Sequence, residues 1–599
     1  MAEVEVWEQG MGAGSPGNTL TRQARPRRSI WKRVTEKWET IQIEGQGAYS
    51  VERLESLNLY CKTTSRGRVM LLCLLSPVPA LAIALLIESL PLQSPSEGWT
   101  ANWVFWVRLL LVQLILSFTS NMQMIRLIPG LNFTIGKQVK LSVGLSAAFM
   151  GICLLTADKI GFPVPLTMQL APIPIGIVHP IMTFLVLGSV LFAKTSPLKP
   201  HVDRFHRFFL SCCALTTAFP IYKLLFQRIP EGYRSVAVVI LPIWKFAAKR
   251  FIVGNTRRLE DIMPLAVAFC ADFLSTLFIA SLLEFRAMSA NRKALFKLLD
   301  ERRNSRTLTR KKFDSLDTAS LLVIILEAMQ KSASLPPKSL ERVRLWACLP
   351  YPLTTERLEH LHTLDASDVY RHEDTISRRF ADQKHHHASL RRHEYQHIRS
   401  ASIIPHSGEN KPANLHSDPG TEATNRHNQR LDKIVVQGVQ LLFHAEYVAL
   451  VQYVESMVPI VFLVFKSVLE HLPNVVYYPG GAGAWDMQST LNTALFAATE
   501  VILLLSFDTF LRHKFGFSPL YQVAFVLETE FYVVQPMLFP FILIILQYEL
   551  EHFELADTNF GRHPILQITS ISKQGIKPED TTDESGRTEG GDDSSFGGG

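Results

Sequence analysis

Cysteine is scarce and unpaired in this chain of 599 residues. Cys61, Cys73, Cys153, Cys212, Cys213, Cys270 and Cys348 form no Cys-x-x-Cys pair, which argues against a zinc ribbon or a disulfide framework. Most of them sit in apolar blocks, where a thiol packs as a small apolar side chain. The sequence also lacks a P-loop, a GxSxG elbow, a GxGxxG turn after a strand and an HExxH helix. Without such signatures the chain is expected not to be an enzyme and to need no cofactor or resident metal. It has no glycine at position 2 and no C-terminal CaaX, so neither myristoylation nor prenylation is indicated. Its first apolar block starts near Val69, too deep for a cleavable signal peptide to be expected. The net charge of +7 is no sign of nucleic-acid binding, because the basic residues cluster beside apolar blocks, as membrane flanks do.

Long apolar runs are what the chain has in abundance. Seven lie at about 69–90, 104–125, 139–157, 173–193, 207–226, 236–253 and 262–285, and three more at about 442–466, 488–507 and 530–548. Most approach the roughly 20 residues that cross ~30 Å of hydrocarbon as a helix. The fold expected is therefore all-α, a polytopic transmembrane helical bundle with about ten candidate apolar segments in a 7+3 arrangement, its partner the lipid bilayer. The run at 236–253 is the weakest, because Lys245, Lys249 and Arg250 follow a short apolar core. Basic residues between the second and third runs (Arg126, Lys137), and between the fourth and fifth, place the N-terminus in the cytoplasm by the positive-inside rule.

Polar stretches divide the chain further, into 1–68, a helix group 69–285, a loop 286–435, a second helix group 436–550 and a tail 551–599. Within the first, Trp31, Val34, Trp38 and Ile41 recur at helical spacing beside Lys32, Arg33 and Lys37. That pattern suits a helix lying on an anionic lipid surface. The loop carries 26 Lys/Arg against 18 Asp/Glu and eleven of the nineteen histidines, among them His385, His386, His387, His393 and His397. Imidazoles bind zinc or copper, but no matching acidic-plus-His pattern occurs in a span, so a solvated loop is the better reading. Within the loop, Ala319 to Met329 is apolar but too short to span, and is read as a helix packed on the bundle. The composition of 365–432 and of the acidic, Gly-rich tail suits disorder.

Ionisable groups inside apolar helices are costly and mark either a pathway or a structural ion pair. Asp272, Glu455, Glu500, His179 and Arg108 are the candidates for an ion or solute pathway, with carboxylates binding a cation and Arg108 as counter-charge. The structural alternative is a buried pair such as Arg108 with Asp272. Glu284 and Asp508, near block ends, are read as reaching the interface. Prolines inside the runs, including Pro77, Pro180, Pro459, Pro536 and Pro540, free backbone carbonyls and either kink a helix or open a site.

Three stretches carry a family likeness: Tyr49-Ser50-Val51-Glu52-Arg53-Leu54; the segment from Ser65-Arg66-Gly67-Arg68-Val69 through Ser76-Pro77-Val78-Pro79-Ala80-Leu81 to Ser96-Glu97-Gly98-Trp99; and Leu259-Glu260-Asp261-Ile262-Met263-Pro264. Over residues 49 to about 330 the chain resembles a large group of multi-pass membrane proteins from oomycetes (water moulds). That resemblance implies a helical architecture, and no activity or site residue comes with it. On the residues alone, the expected function is transport of a small solute or ion. The alternatives are a membrane-embedded scaffold or receptor that recruits partners through its loop and, third, an intramembrane enzyme acting on lipid.

Overall fold

The computed structural model describes residues 47–164, 167–227, 234–273, 275–276, 321–332, 340–367, 369–371, 419–547 and 550–553. The amphipathic stretch 31–41, the histidines 385–397, Glu284 and the acidic tail lie outside them.

Helix α1 (Val51–Thr63) starts where the Ser50 hydroxyl accepts the Arg53 N–H at 3.3 Å. Ser65 caps α2 (Arg66–Leu75) in the same way. Pro77, which has no N–H to give, separates α2 from α3 (Val78–Glu88). There follow α4 (Trp103–Leu127), α5 (Ile135–Ile160), α6 (Pro172–Leu187), α7 (Lys199–Gln227) and α8 (Arg234–Thr256). Helix α9 (Met263–Val267) continues as a π-helical stretch, Ala268–Asp272. Beyond it come α10 (Leu321–Ser332), β1 (Leu340–Arg344), α11 (Thr355–Ala366) and β2 (Tyr370–Arg371), the two strands pairing in parallel. The second group holds α12 (Pro419–Leu469), α13 (Met487–Phe515), α14 (Pro519–Thr529) and α15 (Phe531–Ile545). Gly516, with φ of 69°, ends α13 in the left-handed conformation that a side chain would strain.

Among the described residues five helices are long and apolar enough to cross a membrane: Arg66–Glu88, Trp103–Leu127, Ile135–Ile160, Ile434–Leu469 and Met487–Phe515. A sixth is reached if α14 and α15, which meet at 89°, count as one broken span. The expected ten are therefore not reached among the described residues. Pro172–Leu187 and Met263–Asp272 are shorter apolar helices, and α7 and α8 are not among those that qualify. Large apolar side chains point away from the protein on these helices: Leu86 is 67% exposed, Leu155 66% and Leu185 67%. In water such a belt would drive association, and lipid is the solvent that suits it.

Helix α12 is the central rod. Of its most apolar stretch 72% is buried, against 22% to 44% in the other four spans. Its apolar part, 434–469, runs roughly 54 Å at 1.5 Å per residue, so it stands well clear of a ~30 Å hydrocarbon layer. Helix α10 packs on this extension at Gly438, where an added Cβ would lie 2.4 Å from Ile325 Cδ1. Gly438→Ala is expected to loosen α10 at a cost of about 1–3 kcal/mol. Faster proteolytic cleavage around 321–332 in the detergent-solubilised protein is the readout.

Candidate functional site

The π-helical stretch ends on Asp272, whose side chain is fully buried. An extra residue per turn is uncommon inside helices and is found disproportionately at functional sites. Lys245 and Lys249, one helical turn apart on α8, both reach it: their Nζ atoms lie 2.5 and 3.0 Å from Asp272 Oδ1. Helix α12 closes the group from the other side. Glu455 Oε1 is 3.7 Å from Lys245 Nζ, and Lys249 donates to the Tyr447 hydroxyl at 2.8 Å. The carboxylates are sealed in, at 0% and 1% side-chain exposure, while the lysines keep 18% and 21%. Two buried carboxylates thus hold two lysines that stay partly exposed. Such a group can exchange a proton, or trade an ammonium partner for a passing ion.

Two expected pathway residues, Asp272 and Glu455, are therefore brought together, and Lys245 joins them. The others have different neighbours. Glu500 accepts a hydrogen bond from Gln452 Nε2 at 2.8 Å, where α12 meets α13. His179 bonds Asn121 Oδ1 at 3.1 Å and lies tilted against the Phe209 ring. Arg108 does not pair with Asp272, as the structural alternative had it. It pairs with Glu88 at the end of α3, where the Tyr478 hydroxyl also donates to Glu88 Oε1 at 2.8 Å. Asp508 is buried in protein, accepting from Arg512, Ser518 and the Leu520 N–H.

A second ionic centre went unnoticed in the sequence. At the opposite end of the bundle from Glu88, Arg53 on α1 donates to the Asp261 carbonyl and, at 2.7 Å, to Glu446 on α12. The Tyr49 hydroxyl donates to the same carboxylate. Arg344 on β1 bonds Asp261 at 3.1 Å, and Glu52 accepts the N–H groups of Ala347 and Tyr351 at 2.9 and 2.7 Å. Arg126 spans the margin, bidentate to Glu530 and donating to the Pro350 carbonyl. Residues 340–351 of the central loop are thereby clamped to the bundle as a platform. The stretches 49–54 and 259–264 meet here, through Arg53 and Asp261.

Burial alone would raise Asp261, but the guanidinium groups of Arg344 and Arg53 hold it below the ordinary carboxyl range. Glu52 goes the other way. Its burial lifts it to about 7, against the pull of the two backbone N–H groups. A carboxyl raised in the folded state binds more protons folded than unfolded between its two values. Stability from this group is therefore greatest below about 4.5 and falls as pH rises towards 7, by about 3 kcal/mol. Melting of the purified protein between pH 5 and 8 should show that slope, and Glu52→Gln should flatten it.

Among the described residues no group of three or more His, Cys, Asp or Glu could hold a metal ion. No family model, curated protein or solved structure matches this chain. Its chemistry has to be argued from these two centres alone.

Proposed function

We propose that this membrane protein moves a small ion or charged solute across the bilayer, with Lys245, Lys249, Asp272 and Glu455 as the exchange site. The observation that carries the reading is the pairing itself: fully buried carboxylates hold partly exposed lysines at a π-helical stretch. π-helical stretches are found disproportionately at functional sites, and buried titratable groups in spans mark ion and substrate pathways. Basic residues at the Arg53 end, including Arg66, Arg257, Arg258 and Lys514, support placing that end in the cytoplasm. The test is reconstitution into liposomes, with flux followed for protons and a panel of small ions and organic acids. Asp272→Asn and Glu455→Gln should each cut flux at least tenfold while the protein stays folded. Equal flux in all three proteins, or none for any solute, would end the transport reading.

A scaffold is the second reading, and one observation favours it. Residues 340–371 are not loose chain but a small folded surface locked to the bundle by Arg344, Glu52 and Arg357. A partner that binds this surface at full affinity in the Asp272→Asn protein would support the scaffold.

A further inference from the structure

A cavity of about 70 Å³ lies between α4, α6, α7 and α15. It touches none of the lysines or carboxylates of the exchange site. Pro536 and Pro540 of α15 line it, and each removes a backbone N–H and pushes the helix off a straight course there. The wall is mostly apolar, with Phe209 and Phe541 as its aromatic faces. Its polar groups are largely satisfied already. Gln113 Nε2 donates to Ser117 at 2.9 Å, Asn121 Nδ2 to Ser142 at 3.0 Å, and His179 bonds Asn121 Oδ1. One acceptor stands out. Gln123 lines the cavity, is 3% exposed, and its Oε1 has no hydrogen-bond partner among the described residues.

We propose that this cavity binds an uncharged molecule with a hydroxyl group on a short apolar body. The apolar wall supplies the bulk of the contact, as in most small-molecule sites. The hydroxyl donates to the Gln123 amide, whose buried oxygen turns toward the occupant and otherwise carries the cost of an unbonded acceptor. A charged ligand would find no opposing side chain, because no Asp, Glu, Lys or Arg lines the wall. The volume is about half that of a cavity known to admit benzene, so the occupant is either a short alkanol or the hydroxyl end of a membrane lipid.

Photolabelling of the full-length protein in detergent micelles tests this, with a diazirine-bearing butanol and its methyl ether as probes. The alcohol should label peptides carrying Asn121, Phe209 or Phe541 about tenfold more than the ether, the worth of one buried hydrogen bond. Gln123→Leu should erase that preference without lowering labelling by the ether, which also reports that the cavity is intact. Competition by plain butanol assigns a small free alcohol. Competition by a sterol or diacylglycerol alone assigns a lipid hydroxyl. Equal labelling by alcohol and ether, a preference that survives Gln123→Leu, or no competition by either class overturns the proposal.

Discussion

Arg53→Ala should be the most damaging single substitution at the loop-bearing end of the bundle, costing about 3–5 kcal/mol, the range for breaking a buried ion pair. Arg53 is 1% exposed and touches both Glu446 on the central rod and Asp261 before α9. Among the described residues, removing it leaves Glu446, at 0% exposure, with the Tyr49 hydroxyl, and takes away one of the two guanidinium groups that face Asp261. The loss propagates, because Asp261 also holds the Cys348 N–H at 2.6 Å and so anchors the platform. Poor accumulation in membranes and early loss of helical signal on heating are expected. Arg53→Lys should recover only part of the stability, since an ammonium cannot reach a carbonyl and a carboxylate as a planar fork does. A protein that melts as the parent does would show that the platform is held by apolar packing instead.

Glu88→Leu should be the second, again at about 3–5 kcal/mol, because it leaves the Arg108 cation at 2% exposure with its partner gone. The informative variant is the double one. Glu88→Leu with Arg108→Leu should return most of the lost stability, since replacing a whole buried pair by apolar groups is often neutral. A residual deficit is expected from Tyr478, whose hydroxyl then has no acceptor, and Tyr478→Phe in the same protein should remove it. Thermal melts of the single, double and triple variants give the coupling directly. Additive losses would mean that Arg108 takes its compensation elsewhere.

The helical membrane architecture was legible because apolar runs of span length leave few alternatives. The count was not. Lys245 and Lys249 weakened 236–253 as a span, yet those same lysines are neutralised by Asp272 and Glu455, which a residue-by-residue hydropathy reading cannot credit. Asp272 and Glu455 were correctly picked out as costly charges, but 183 positions separate them, and only the fold brings both to Lys245. Their i,i+4 spacing was the available clue that the two lysines share a face. Arg108 was seen and its partner was not: Glu88 closes an apolar run and looks in sequence like an ordinary interfacial carboxylate. The platform was hidden for a different reason. Its contacts join residues 49–55, 261, 344–357 and 446, separations that no local pattern encodes.

Glu446 and Tyr447 are consecutive residues of one unbroken helix, yet they serve different masters. The first is gripped by Arg53 of α1, beside the platform, the second by Lys249 beside the buried carboxylates. A twist or slide of this rod therefore cannot loosen one grip without disturbing the other. The folded part of the loop is thereby tied, through a single peptide bond of this helix, to the buried carboxylates of Asp272 and Glu455.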